Sequence, residues 1–191
     1  TRLWLARALV EAGRPADALP HYRQALAGDE AVGSEILLEA AGVALGVGAL
    51  GFAAEHFRRY LTEVDPSDRE VQLRLARTYA WSARWAEAED HYREALTAIE
   101  SPAIRLELAR MLADAGRYGD AIAEYRRVLA SRPSPEVRRE LVDALSQVGD
   151  YAAAVTELNG VIGRDSDPAL LELKSELLAL LDRYGEAADV L

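Results

Sequence analysis

Apolar positions recur along the chain at three- and four-residue intervals, the spacing that gathers them on one face of an α-helix. No segment alternates apolar and polar residues with a period of two, so no β-sheet is expected. The helical stretches fall at roughly 2–12, 15–27, 34–47, 50–64, 68–82, 85–99, 102–114, 118–131, 135–148, 151–163, 168–181 and 184–191. Three of them begin with a capping residue followed by proline, Ser101-Pro102, Ser134-Pro135 and Asp167-Pro168, where the missing N–H costs nothing. Ser67 with Glu70 fits a capping box for another.

The helices are copies of one module. His21-Tyr22-Arg23-Gln24-Ala25-Leu26 nearly repeats as His56-Phe57-Arg58-Arg59-Tyr60-Leu61 and as His91-Tyr92-Arg93-Glu94-Ala95-Leu96. Upstream breakers at Gly13, Gly48, Ala83, Gly116, Gly149 and Asp182 anchor the repeat at spacings of 35, 35, 33, 33 and 33 residues. Five residues after each anchor stands an alanine (Ala18, Ala53, Ala88, Ala121, Ala154, Ala187), and seven before it a mostly small residue (Ala6, Ala41, Ala76, Ala109, Val142, Ser175). Nine after it come Tyr22, Phe57, Tyr92, Tyr125, Leu158 and Leu191; thirteen after, Leu26, Leu61, Leu96, Leu129 and Ile162. Small and large residues in this register describe two helices per unit that touch along their small faces. The units run at about 1–30, 31–66, 67–100, 101–133, 134–166 and 167–191, one repeat array. Both ends fall inside amphipathic patterns, which reads as a piece of a longer chain.

This module resembles the tetratricopeptide repeat. The carrying residues are the leucine eight before the anchor (Leu5, Leu75, Leu108, Leu141), the small residue after it, the turn glycine, the aromatic two after the anchor (Trp85, Tyr118, Tyr151, Tyr184), the alanines and the second-helix aromatics. Ala40 and Lys174 replace the leucine, Pro15 and Leu50 replace the aromatic, and the closing proline stands in register only at Pro133. The resemblance implies an all-α, right-handed solenoid of antiparallel helix pairs whose first helices line a concave groove. It also implies that the residue six before each anchor faces that groove: Arg7, Gly42, Arg77, Arg110, Asp143 and Glu176. Ten before the anchors lie Leu3, Leu38, Leu73, Leu106, Arg139 and Glu172, and Arg74 and Trp81 join the middle of the row. The candidate binding residues are therefore Arg7, Leu38, Leu73, Arg74, Arg77, Trp81, Leu106 and Arg110, arginines over an apolar floor with one aromatic anchor.

Arginine forks bind carboxylates bidentately and tryptophan supplies contact area, so such a groove suits a protein or peptide partner of acidic character. In the competing reading Arg77 pairs with Glu70, Arg110 pairs with Glu107, and the leucines are inter-repeat core. Self-association is a third possibility, with Leu177, Leu178, Leu180 and Leu181 as the contact face. Tyr79-Ala80-Trp81-Ser82-Ala83-Arg84-Trp85 further resembles a turn of tetratricopeptide arrays in bacterial envelope proteins of exopolysaccharide synthesis and export, which implies a periplasmic scaffold with polysaccharide-export partners.

Composition narrows the chemistry. With 22 basic against 32 acidic residues the net charge is −10, which opposes nucleic-acid binding. There is no cysteine, hence no disulfide, thiolate metal site or cysteine nucleophile. The longest uncharged stretch, Ala40 to Ala54, is too short and glycine-rich to cross a bilayer, so no membrane insertion is expected. Gly46-Val47-Gly48-Ala49-Leu50-Gly51 matches a dinucleotide fingerprint, but it follows a helical pattern rather than a strand and reads as an inter-helix turn. The only histidines, His21, His56 and His91, sit in successive repeats, too far apart for one zinc ion, and read as half-exposed packing residues. Glu89 with Arg93 reads as a surface pair among the neighbouring carboxylates Glu87, Asp90 and Glu94. No catalytic motif is present. The expectation is a non-catalytic interaction scaffold without cofactor or metal.

Overall fold

The computed structural model describes residues 2–27, 33–98, 100–162 and 168–190. Among them lie twelve α-helices and no strand: α1 (Arg2–Glu11), α2 (Pro15–Leu26), α3 (Ser34–Gly46), α4 (Leu50–Glu63), α5 (Arg69–Trp81), α6 (Trp85–Ala98), α7 (Pro102–Asp114), α8 (Tyr118–Ser131), α9 (Pro135–Gln147), α10 (Tyr151–Asn159), α11 (Pro168–Leu180) and α12 (Tyr184–Val190). They form two compact units, Thr1–Ala98 and Ile99–Leu191, each holding three helix pairs. Within a unit every first helix packs on its own second helix, and every second helix on the next first helix.

One backbone device makes all six hairpins. The six repeat anchors are the positive-φ residues of the described chain: Gly13 (72°), Gly48 (76°), Ala83 (55°), Gly116 (74°), Gly149 (77°) and Asp182 (59°). At each, the following N–H reaches back to a carbonyl five residues earlier, as in Arg14 to Leu9 (2.8 Å), Arg84 to Tyr79 (2.9 Å) and Arg117 to Leu112 (2.9 Å). This left-handed closure satisfies the carbonyls a helix end leaves open and reverses the chain within three residues. The fingerprint-like glycine run is such a closure: Gly46 ends α3, Gly48 is left-handed, and Gly51 lies in α4.

The second helix is then started by charge. The residue after the anchor is arginine in four repeats, and it grips an acid three residues on: Arg14–Asp17 (2.7 Å), Arg84–Glu87 (2.7 Å), Arg117–Asp120 (2.5 Å) and Arg183–Glu186 (2.6 Å). Each acid lies in the first turn, where the helix dipole favours it. In the fifth repeat Asp150 caps directly, accepting from the Ala153 N–H at 3.1 Å. Ser134 caps α9 from Val137 N–H as expected, at 3.3 Å. Ser101 makes no such bond. The capping box at Ser67 is replaced by Asp68, which accepts from Val71 N–H at 3.1 Å, while Ser67 donates to Asp65. Asp167 lies outside the described residues, as do the last-repeat position Leu191 and the ends of several unit boundaries.

The core follows the small and large register. Ala18, Ala53, Ala88, Ala121 and Ala154 are sealed completely, as are Ala6, Ala41, Ala76, Ala109 and Val142 opposite them. Tyr22, Phe57, Tyr92, Tyr125 and Leu158 are the large buried residues of this register. Leu177 and Leu178 belong to this core, 3% and 1% exposed, and offer no face to a second copy; of that leucine group only Leu180 stands out, at 59%.

Candidate functional site

In the first unit α1 and α3 are tied side by side by a fork. Arg7 Nε donates to both Glu39 oxygens (2.9 and 3.0 Å) and Nη2 to Oε2 (2.7 Å), while Tyr22 of α2 donates its hydroxyl to Oε1 at 2.5 Å. The Arg7 guanidinium holds the Glu39 carboxyl below the usual carboxylate range. Burial first, and the Glu39 bond second, push the Tyr22 hydroxyl up. The second unit repeats the arrangement: Arg110 forks onto Glu140 (2.8 and 2.6 Å), and the Tyr125 hydroxyl bonds the same carboxylate. The partner of Arg110 is thus a glutamate 30 residues away on the next first helix, not Glu107.

The middle of the first unit breaks this pattern at all three places. Where the triad has arginine, tyrosine and glutamate, the chain has Gly42, Phe57 and Arg74. The Arg74 guanidinium lies 4.6 Å from the Phe57 ring centroid, and its Nη2 is 3.2 Å from where a Cβ on residue 42 would stand. A Cβ at position 42 would press on the guanidinium, and glycine leaves it room. Phe57 lacks the hydroxyl that would have faced a cation, donor against donor.

Of the expected groove residues, Arg7, Trp81 and Arg110 are exposed; Leu38, Arg74, Arg77 and Leu106 are half-buried; Leu73 belongs to the core. Arg77 makes contacts of its own. In the first unit Arg74, Arg77 and Trp81 lie along one side of α5 at helical spacing, with the Trp81 indole 62% exposed. In the second unit Leu106 and Arg110 line a cavity of about 470 Å³ with Val128, Val137, Pro102 and Pro133.

A second set of polar pairs joins the two helices within a repeat, eleven residues before and eight after the anchor. Gln72 faces His91 (Oε1 to Nδ1, 2.6 Å), Arg105 faces Glu124 (2.5 Å), and Arg138 faces Glu157 (3.5 Å). The equal spacing of the histidines is therefore the spacing of this slot, which glutamate fills in the fourth and fifth repeats. His21 and His91 are half-buried as expected. His56 is fully buried at 5% exposure; with apolar Leu37 at its partner position it turns Nδ1–H to the Phe52 carbonyl at 2.9 Å. Burial depresses the His91 pKa. Glu124, only 3% exposed, is also held by Arg127 at 2.7 Å, and Arg105 in turn grips Glu100 at 2.5 Å. Arg93 pairs with Glu89 at 2.6 Å. Neither set was evident from local spacing. Comparing the row nine before each anchor with the row six before the previous one would have exposed the first, and comparing the histidine row with its first-helix counterpart the second.

Among the described residues no group of three or more His, Asp or Glu could hold a metal ion, and no helix is long and apolar enough to cross a membrane. The architecture defines an all-α helical-repeat protein. Tetratricopeptide-repeat models match residues 5–68 and 71–101, and a HEAT-repeat model matches residues 89–177. The left-handed anchors continue through the HEAT-matched stretch at 33-residue spacing, the tetratricopeptide period rather than the longer HEAT one. Residues 5–68 and 71–101 thus match tetratricopeptide repeats, and the same helix-pair geometry continues in the helices that follow. Among solved structures, MamA of AMB-1 is similar at 21% identity and TM-score 0.65, over 84% of this chain and 87% of that one. Another MamA structure aligns at 15% identity and TM-score 0.69 over 82% and 87%. A tetratricopeptide repeat protein from Parabacteroides merdae aligns at 19% identity and TM-score 0.59 over 99% and 74%. At these identities the likeness concerns the fold alone. No curated protein sequence matches the chain.

Proposed function

We propose that this protein is a non-catalytic scaffold that binds a peptide or partner protein on the first-helix face of its repeats. The observation that carries this reading is Trp81, an indole 62% exposed in line with Arg74 and Arg77 on α5, whereas the exposed Trp4 and Tyr184 lie on α1 and α12. An exposed tryptophan flanked by arginines is the composition of an interface hot spot. The helix that presents it, α5, packs on α4 and α6 and is tied to α6 through Gln72 and His91, so binding orders few side chains. In the second unit Leu106 lines a cavity beside Arg110, whose fork is already taken by Glu140.

The resemblance of Tyr79–Trp85 to export-scaffold turns adds no further binding residue. Tyr79, Ser82, Ala83 and Arg84 build the turn: Ser82 Oγ bonds the Thr78 and Tyr79 carbonyls, Ala83 is left-handed, and Arg84 stacks 4.3 Å over Tyr79. Selection from a phage library of random dodecapeptides tests the proposal. The expected result is a set of binders whose affinity falls about tenfold or more in Trp81→Ala at unchanged melting temperature. No binders, or binders indifferent to Trp81→Ala, would overturn it.

A further inference from the structure

We infer that Arg74 is a carboxylate-receiving site, so that the segment bound beside Trp81 is acidic; the inference rests on the binding reading above and specifies its ligand. The argument begins from the arginines whose partners are defined. Arg7 and Arg110 each spend a bidentate fork on an internal glutamate that a tyrosine hydroxyl also binds. Their junctions are neutral and their forks are taken. The Gly42–Phe57–Arg74 junction has the cation and no anion. Arg74 is half-buried, its face is taken by Phe57, and among the described residues it has no carboxylate partner. Glu70, one turn before Arg74 on α5, is not bonded to it, and Glu39, one turn before Gly42, is already held by Arg7 and Tyr22.

The three substitutions make sense only together. Glycine at 42 removes the competing arginine and opens room beside Arg74 Nη2; phenylalanine at 57 gives the guanidinium an apolar platform; arginine at 74 replaces the glutamate. Stacking on an aromatic face leaves the in-plane N–H groups of a guanidinium available, and those are the donors that fit a carboxylate fork. A partly desolvated cation without a counter-charge, in a chain of net charge −10, is costly to keep and gains most from an incoming anion. Trp81 lies two turns further along the same helix side, so the occupant carries an aspartate or glutamate side chain on Arg74 and an apolar residue on the indole.

The dodecapeptide selection reads this directly. Wild type is expected to enrich Asp or Glu, and a selected acidic peptide synthesised with Asn and Gln in their place should bind about tenfold or more weakly. Arg74→Met, which keeps the stem on Phe57, should remove the preference. The triple variant Gly42→Arg/Phe57→Tyr/Arg74→Glu rebuilds the neutral triad of the neighbouring junctions; it should melt no lower than wild type and also lose the preference. Peptides lost in Trp81→Ala but free of acidic enrichment, or with an enrichment that survives both Arg74 variants, would overturn the Arg74 assignment while leaving the scaffold reading standing. Absence of any Trp81-dependent binder overturns both.

Discussion

Ala83 and Gly116 hold the same left-handed place in successive repeats, at φ 55° and 74°, with a Cβ in one and none in the other. For an L-residue with a side chain this region costs about 1–2 kcal/mol, against about 0.5–1 kcal/mol for the freedom glycine loses on folding. Ala83→Gly is therefore expected to stabilise by about 0.5–1 kcal/mol, and Gly116→Ala to destabilise by about 1 kcal/mol. Nothing lies within 4 Å of a Cβ built on Gly116, so its loss is purely conformational. Urea midpoints at constant slope measure both, and a destabilised Ala83→Gly would contradict the account. The buried Glu124 presents a different kind of cost. Glu124→Ala takes one of the two carboxylates from the largely covered Arg105, which keeps Glu100, and should cost about 1–3 kcal/mol. Arg105→Met/Glu124→Leu should lose less, because the charges it leaves unpaired, Glu100 and Arg127, are exposed.

At the scale of the helix pair, the slot that holds His91 gives stability a pH dependence. His91 meets Gln72 from α5, stacks 5.6 Å from Tyr79, and has Asp90 and Glu94 on its own helix. Burial outweighs the two acids and lowers its folded pKa. The folded protein then binds fewer protons than the unfolded chain below the unfolded value near 6.5, so this contribution is full above about pH 6.5 and is lost as pH falls toward the folded value. His91→Gln should melt with a shallower pH dependence between about pH 6.5 and 5 than wild type; parallel curves would remove His91 as the cause. The helices and their turns were legible in the sequence because their causes are local: a left-handed residue, an alanine contact, a proline at a first position. The polar pairs were not. Spacing on one helix offers Glu107 to Arg110, whereas the fold brings Glu140 from the next repeat. The capping-box spacing pointed to Ser67, but Asp65 takes the Ser67 hydroxyl and Asp68, which also accepts from Tyr60 of α4 at 3.2 Å, caps the helix.

Across the whole molecule the charge of −10 is an average over two populations of carboxylates. Arginines hold Glu39, Glu87, Glu100 and Glu186 below the ordinary range, and the hydroxyls of Ser67 and Ser134 do the same for Asp65 and Glu136. Asp143 goes the other way, raised by desolvation and then by Glu140, with Arg139 opposing. For the depressed group the unfolded chain binds more protons than the folded one below about pH 4.3, so their stability is full above that value and drains as pH falls through the folded values. Asp143 opposes the trend, being relieved by protonation, but it is one group against six. The arginines keep their charge throughout, so acid converts an anionic chain into one whose 21 arginines and single lysine repel one another, which adds to the loss. Melting followed by circular dichroism is expected to change little between pH 8 and 5 apart from the His91 step, then to fall steeply below about pH 4.3. Arg7→Met, by releasing Glu39, should soften that fall and lower the neutral plateau. A melting temperature that holds to pH 3 would mean that the ties between the helices contribute nothing to stability, and that packing of the alanine faces alone keeps the repeats together.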